Sequence, residues 1–416
     1  MDTKLPWVDR DLQSHVDGIK LRLESTPQNM FIETFDLDDL PSSQGAMSGS
    51  VVSIKSTFDV VGYPTSGGTT ILNSGIAQSN AEVVTRLKVA GAFFVGHTNM
   101  TELAYSGLGL NPHYGTPDNP LLPGHIPGGS TSGGAVSVAL DMADVALGTD
   151  TGGSLRIPAA FCGLTGFKPT QDSVSRQGCL PLSNELDSVG PIARNVATCR
   201  HTWEVLSGKP AQETQDPIYL VVPTNFGLDE LDPIVEGGFN KAIKQIESLG
   251  IEIEYRDIPL LDDYKTLPVW QFSAVESRKA YESRFDLDSD LLDPRVRKRI
   301  ARGANVSDQE FMQTCIARDR LKAEFQRSEP DSFLLMPTVA CLPPTFASLE
   351  DDEAYDRMNL LCLRNTTLAN VLDGCSISLP YKERGMPLGI MISACHGRDA
   401  DLLAVAEKLE TVLIPA

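Results

Sequence analysis

Apolar positions along this chain switch period repeatedly. A short, mostly apolar run from Val51 to Ile54 stops at Lys55, as a buried strand would. A Gly/Ser/Thr-rich loop follows (YPTSGGTT, 63–70). Ser79 with Glu82 three residues on then predicts a capping box. Val83, Val84, Leu87 and Ala90 keep helical spacing, Gly91 closes that helix, and Ala92 to Val95 reads as the next strand. The rhythm recurs: Ala135–Met142 predicts a helix, Val145–Gly148 a strand, and Pro158 begins another short helix. Alternation of this kind predicts an α/β fold, a single large domain with a mixed, mostly parallel central sheet covered by helices on both faces.

Around that core, Leu12, Val16, Ile19 and Leu23 predict a helix within an N-terminal segment, 1–48, that packs on the main domain, 49–416. Within the latter, 50–205 carries the catalytic texture. The stretch 206–334 is more helical and charged and reads as a peripheral, substrate-side layer. Residues 335–416 return to the core through strand texture (ISLPYKERGMPLGIMIS) and a helix from Asp399 to Leu413. The basic run RVRKRIAR, Arg295 to Arg302, reads as the solvated face of a helix.

The 416 residues are 41% hydrophobic, enough for a large core, and carry a formal charge of -20 from 55 acidic and 35 basic residues. A chain so acidic repels polyanions, so neither nucleic acid nor an anionic membrane is an expected partner. No stretch reaches the ~18 apolar residues of a membrane span, and the N-terminus lacks an apolar signal core. Eight scattered cysteines, without C-x-x-C pairs or nearby histidine spacing, predict neither a disulfide framework nor a metal site; Cys162 reads as core. The expected location is cytoplasmic.

Two loops carry candidate chemistry, 127–134 (PGGSTSGG) and 148–154 (GTDTGGS). Glycine clusters let backbone N–H groups converge on a phosphate or on an oxyanion. The phosphate reading fails, because neither loop is G-x-x-x-x-G-K-[ST]; the nearest match, Gly91 to Thr98, has His97 where lysine is required. A serine closing a glycine loop ahead of a short helix suits a nucleophile under backbone donors. Such a hydroxyl needs a base. Six histidines are present, none in a recognisable triad setting, and His97 and His113 read as structural. There is no G-x-S-x-G elbow and no S-x-x-K.

The run GGSTSGGAVSVALDMADVALGTDTGGSLRIPAAFCGLTGFKPT (128–170) resembles the signature of the amidase signature family. SIKSTFDVVGYPTSGGT (53–69) is similar to that family's lysine region, and GHTNMTELAYSGLGLNPHYGTPDNP (96–120) to its intervening segment. SNELDSVG (183–190) and residues 385–410 match more loosely. The resemblance implies the amidase signature fold and a serine–serine–lysine triad. Ser154 stands at the acylated nucleophile, Ser130 at the bridging serine that follows a cis peptide bond, and Lys55 at the base. It implies an oxyanion hole from Thr151, Gly152, Gly153 and Ser154, with Gly129, Ala104 and Tyr105 as further substrate-side positions. No metal or organic cofactor is needed.

The implied activity is hydrolysis of a small carboxamide to acid and ammonia or amine, with a homodimer expected from the family. Two alternatives stay open: the glutaminase component of a tRNA-dependent amidotransferase, and a non-enzymatic docking module on the same scaffold. Asp150 reads as a loop-shaping acceptor, and Arg156 as its ion-pair partner in preference to a substrate contact.

Overall fold

The computed structural model describes residues 5–25, 28–72, 75–210 and 218–414; residues 1–4, 26–27, 73–74, 211–217 and 415–416 of the segments delimited above lie outside it. Eleven strands form one sheet: β1 (Phe31–Thr34), β2 (Val51–Lys55), β3 (Phe93–Thr98), β4 (Val145–Asp150), β5 (Thr165–Lys168), β6 (Ser188–Ala193), β7 (Tyr219–Pro223), β8 (Ile253–Arg256), β9 (Ser332–Pro337), β10 (Cys375–Glu383) and β11 (Met386–Ala394). Their order is β1-β3-β2-β4-β6-β5-β10-β11-β9-β7-β8. Among the described residues no helix is long and apolar enough to cross a membrane.

Helices cover both faces, as the alternating pattern requires. Val52 and Ile54 of β2 pack with Val83, Val84 and Leu87 of the helix Glu82–Val89, in a cluster shared with the helices Val196–Ser207, Pro233–Glu247 and Asp399–Leu413. Val51 points the other way, onto Ala135 and Val138 of the helix Ser132–Ala139. The same layer receives Val16 and Ile19 of the N-terminal helix Leu12–Ser25. Farther along the sheet it continues as the helices Leu260–Thr266, Trp270–Tyr281, Asp308–Ser328 and Asp352–Val371. With a side-chain period of two, Lys55 shares the face of Val51 and Ser53, whose Oγ lies 2.8 Å from Ser137 Oγ of the helix Ser132–Ala139. Strand parity therefore aims the lysine at the serine-bearing loop that precedes this helix.

The sheet is mixed, but the expectation that it is mostly parallel needs correction. Only β2 with β3 and β4, and β7 with β8 and β9, pair in parallel. The other six contacts are antiparallel. Parallel neighbours need a crossover, whereas β10 and β11 are joined by the tight turn at Arg384-Gly385, a hairpin that period-two texture alone could not orient. The predicted Ser79–Glu82 capping box also does not form. The helix begins at Glu82 with Ala81 as its N-cap, and the Glu82 carboxylate pairs with Arg86 at 2.6 Å. The 206–334 segment is more than a helical layer, because it supplies β7 and β8 at one end of the sheet. β8 sits on the edge with Glu254 and Tyr255 exposed, so it lacks the apolar alternation that marks a strand in sequence.

The basic run forms the helix Pro294–Arg302, with Val296 and Ile300 buried. Its arginines are not simply solvated. The Arg295 guanidinium lies 4.0 Å from the Tyr355 ring centroid and that of Arg302 4.0 Å from Trp270, geometries in which the cation faces the aromatic quadrupole.

Candidate active site

Lys55 ends β2 with no solvent exposure. Its Nζ donates to Ser130 Oγ at 2.8 Å and to Thr149 Oγ1 at 2.8 Å. β4 runs parallel beside β2, with Ile54 opposite Leu147, which brings Thr149 alongside the lysine tip. Among the described residues no carboxylate pairs with the amine, so burial outweighs the more distant charges of Asp150 and Asp187 and pushes its pKa down to about 8.

Ser130 follows a cis Gly129–Ser130 peptide bond at the entry to the helix Ser132–Ala139. Its carbonyl accepts from Thr101 N–H at 3.1 Å. The Gly129 N–H donates to Gly107 O at 2.8 Å, and a Cβ at Gly129 would lie 2.6 Å from Gly109 Cα. Gly129 is therefore a site of close backbone approach and does not present a donor to a substrate.

The loop after β4 is held from two sides. Asp150, fully buried, accepts from the N–H groups of Gly153 (2.8 Å) and Leu155 (3.1 Å) and pairs with Arg156 (2.8 Å). Burial works to raise the Asp150 pKa, but the Arg156 charge and the hydrogen bonds outweigh it and hold the carboxyl below its ordinary value. Arg156 also donates to Asn370 at 2.7 Å and is itself fully buried, so the structural pairing with Asp150 is what the geometry shows. From the other side, Thr366 and Thr367 of the helix Asp352–Val371 donate to Gly152 O at 2.5 and 3.1 Å. Thr151 Oγ1 donates to Asp187 at 2.6 Å. Gly153 has φ +140°, and a Cβ there would lie 2.3 Å from Thr366 Oγ1, so only glycine fits.

The Gly153 N–H, expected to face a substrate, is instead committed to Asp150, because the carboxylate shapes the turn. Among the described residues the N–H groups of Thr151, Gly152 and Ser154 have no protein acceptor. Ser154 is 4% exposed, and its carbonyl accepts from Thr131 N–H at 3.4 Å, which ties it to the residue after Ser130. Ser154, Thr151 and Gly152 open into a cavity of about 1010 Å³ whose wall includes Ala104 and Tyr105. The Tyr105 hydroxyl is tied to Ser273 O at 2.7 Å and to Ser277 Oγ at 2.8 Å.

The histidines are placed elsewhere. Burial pushes His97 down to about 4, and its Nε2 lies 3.1 Å from Phe58 O. His113 pairs with Glu102 at 2.7 Å. Cys162 is buried against Pro127 O, and all eight cysteines are free thiols. Among the described residues no cluster of three or more His, Cys, Asp or Glu side chains is arranged to hold a metal ion.

Several residues of this neighbourhood escaped the sequence reading. Thr149 sits inside the glycine loop that drew attention, but nothing marked it as a lysine partner. Asp187 lies in the loosely matching SNELDSVG. The cavity wall from 206–334, including Phe226 of the loop after β7 and Tyr264 and Trp270 of two helices, had no local signal, since isolated apolar residues read as core.

Comparison with known proteins establishes the family. The family model described as Amidase matches residues 24–403. The chain is 32% identical to Amidase 1 of Oryza sativa subsp. japonica over 423 residues, covering 92% of this chain and 95% of that one. It is 30% identical to 2-amino-5-chloromuconic acid deaminase of Comamonas testosteroni over 381 residues, 89% and 82% of the two chains. A glutamyl-tRNA(Gln) amidotransferase component of Syntrophus aciditrophicus (strain SB) is also similar, 30% identical over 408 residues, 88% and 84% of the two. A crystal structure of an amidase superposes with a TM-score of 0.86 at 27% identity, covering 98% of each chain. The chain belongs to the Amidase family and is a hydrolase of C–N amide bonds.

Proposed function

We propose that this amidase cleaves the C–N bond of a carboxamide through an acyl-enzyme on Ser154, with Ser130 relaying protons to Lys55. The observation that carries the reading is the 2.8 Å contact between Lys55 Nζ and Ser130 Oγ in a fully buried setting beside the Ser154 loop. In the neutral form Lys55 accepts the Ser130 proton while Ser130 takes that of Ser154, whose Oγ attacks the carbonyl carbon. The developing oxyanion is received by the N–H groups of Thr151, Gly152 and Ser154. The lysine proton then returns through Ser130 to the departing nitrogen, which leaves as ammonia or amine. Water repeats the relay and releases the acid. The chemistry needs no metal or organic cofactor.

Replacing Ser154 by alanine should abolish ammonia release and remove labelling by a fluorophosphonate probe. Retention of both would overturn the assignment.

The similarity to amidotransferase components supports a second reading, a glutaminase that works with a tRNA-holding partner. The chain's charge of -20 weighs against tRNA contact by this polypeptide itself. Glutamine hydrolysis that appears only with a partner would favour it. A docking module without activity is disfavoured because the sequence keeps Lys55, Ser130 and Ser154. Cytoplasmic residence, which free thiols suit, and a homodimer belong to the same proposal.

A further inference from the structure

We propose that the acyl part of the substrate is a bulky, uncharged, apolar group, such as an arylalkyl chain, lodged in the throat above Ser154. This deepens the amide-hydrolase reading and rests on it. The cavity of about 1010 Å³ is of the size that encloses a drug-sized ligand and far exceeds what an acetamide-sized amide can fill.

Two apolar clusters converge on its floor. Ala104, Tyr105 and Leu182 form one side, and Leu186, Phe226 and Tyr264 another. Phe226 and Tyr264 meet edge to face with centroids 5.4 Å apart, which fixes the ring orientation. The apolar lining continues outward to Trp270 and Leu360, 37% and 69% exposed, so the throat is apolar from floor to mouth.

Charge does not select. The rim carries Arg302, Arg357 and Arg364, but also Asp229, Glu230 and Glu353, while Arg299 is neutralised by Asp356 at 3.0 Å and Lys265 by Asp262 at 2.9 Å. A rim of both signs has no net preference for an ionic substituent, while the apolar wall penalises desolvating one. The acyl side is the part expected in the throat. It stays attached through both half-reactions, so its burial holds the carbonyl at the backbone donors while the amine leaves and water enters.

The test compares acetamide, hexanamide, 3-phenylpropanamide and the anionic succinamate, by ammonia release from the wild-type chain and by calorimetric binding to Ser154→Ala. The value of kcat/KM should rise about fourfold per buried methylene, corresponding to ~0.8 kcal/mol each. Affinity for Ser154→Ala should follow the same order, with succinamate poorest in both series. Trp270→Ala should flatten the dependence on acyl size and lower kcat/KM for 3-phenylpropanamide about tenfold. If acetamide or succinamate matched or exceeded 3-phenylpropanamide in rate and affinity, the substrate class would be overturned while amide hydrolysis stood. If all four amides bound in the expected order without hydrolysis by the wild type, the throat assignment would hold and the catalytic reading would fall.

Discussion

A lysine amine enclosed by protein, with hydroxyl groups as its partners and no carboxylate, holds its proton more weakly than one in water. Lys55 is in that position, bonded to Ser130 and Thr149 and lowered to about 8 by burial. As the proposed base it must be uncharged, so kcat/KM should climb as pH passes upward through about 8 and level above it. A profile flat from pH 6 to 9 would contradict this role. Removal of the amine in Lys55→Ala should lower kcat by roughly 10²–10⁴ with the circular dichroism spectrum preserved. The same burial has a stability consequence whose sign follows from proton counting. Between about 8 and the ordinary lysine value of 10.5 the unfolded chain binds more protons at this residue than the folded one, so its contribution to stability rises with pH across that window. Below 8 the residue is charged in both states and the burial penalty is fully present. Lys55→Met should therefore be inactive yet more stable at pH 7 by about 1–3 kcal/mol in denaturant melts. Each pKa unit is worth ~1.4 kcal/mol, and the stranded Ser130 and Thr149 hydroxyls take part of the gain back.

Elements matter here through what they hold still. The 151–154 loop is clamped between Asp150 beneath it, Asp187 just before β6, and the paired threonines of the helix Asp352–Val371. Asp187 is buried. Burial raises its pKa, and the bonds from Thr151, Leu182 and Ser183 oppose the rise. Asp187→Asn retains the shape but loses acceptor capacity, so kcat should drop about tenfold to a hundredfold with KM little changed; an equal rise in KM would point to general misfolding of the cavity wall instead. Gly153→Ala should lose more than about 1 kcal/mol of stability, because the residue needs φ +140° and its Cβ would press on Thr366. Unaltered melting and unaltered rate in that variant would show the loop to be more pliable than its contacts imply.

At the scale of the molecule, the site is assembled from parts that are far apart in the chain. β2 supplies the lysine, the turn before the helix Ser132–Ala139 supplies Ser130, the loop after β4 supplies Ser154, and the 206–334 segment supplies much of the cavity wall. The sequence points to the first three, the proposed triad, because glycine loops, strand-end lysine and family resemblance are local features. The α/β class was legible because periods of two and 3.6 alternate along the chain. Strand direction was not, since the same apolar texture serves a parallel or an antiparallel neighbour. The edge strand β8 was invisible because one open edge frees it from apolar alternation. What the sequence by itself determined is the chemistry: which hydroxyls, which amine and which glycine turns are available, and on which face of β2 the lysine lies. What only the tertiary structure decided is the environment. It removed Lys55 from water, committed the N–H groups of Gly153 and Gly129 to internal acceptors, paired Arg156 with Asp150, and built an apolar throat from distant helices. The physical reason is that burial and hydrogen-bond competition are set by neighbours in space, such as Asn370, which bonds Asp150 from 220 positions away along the chain.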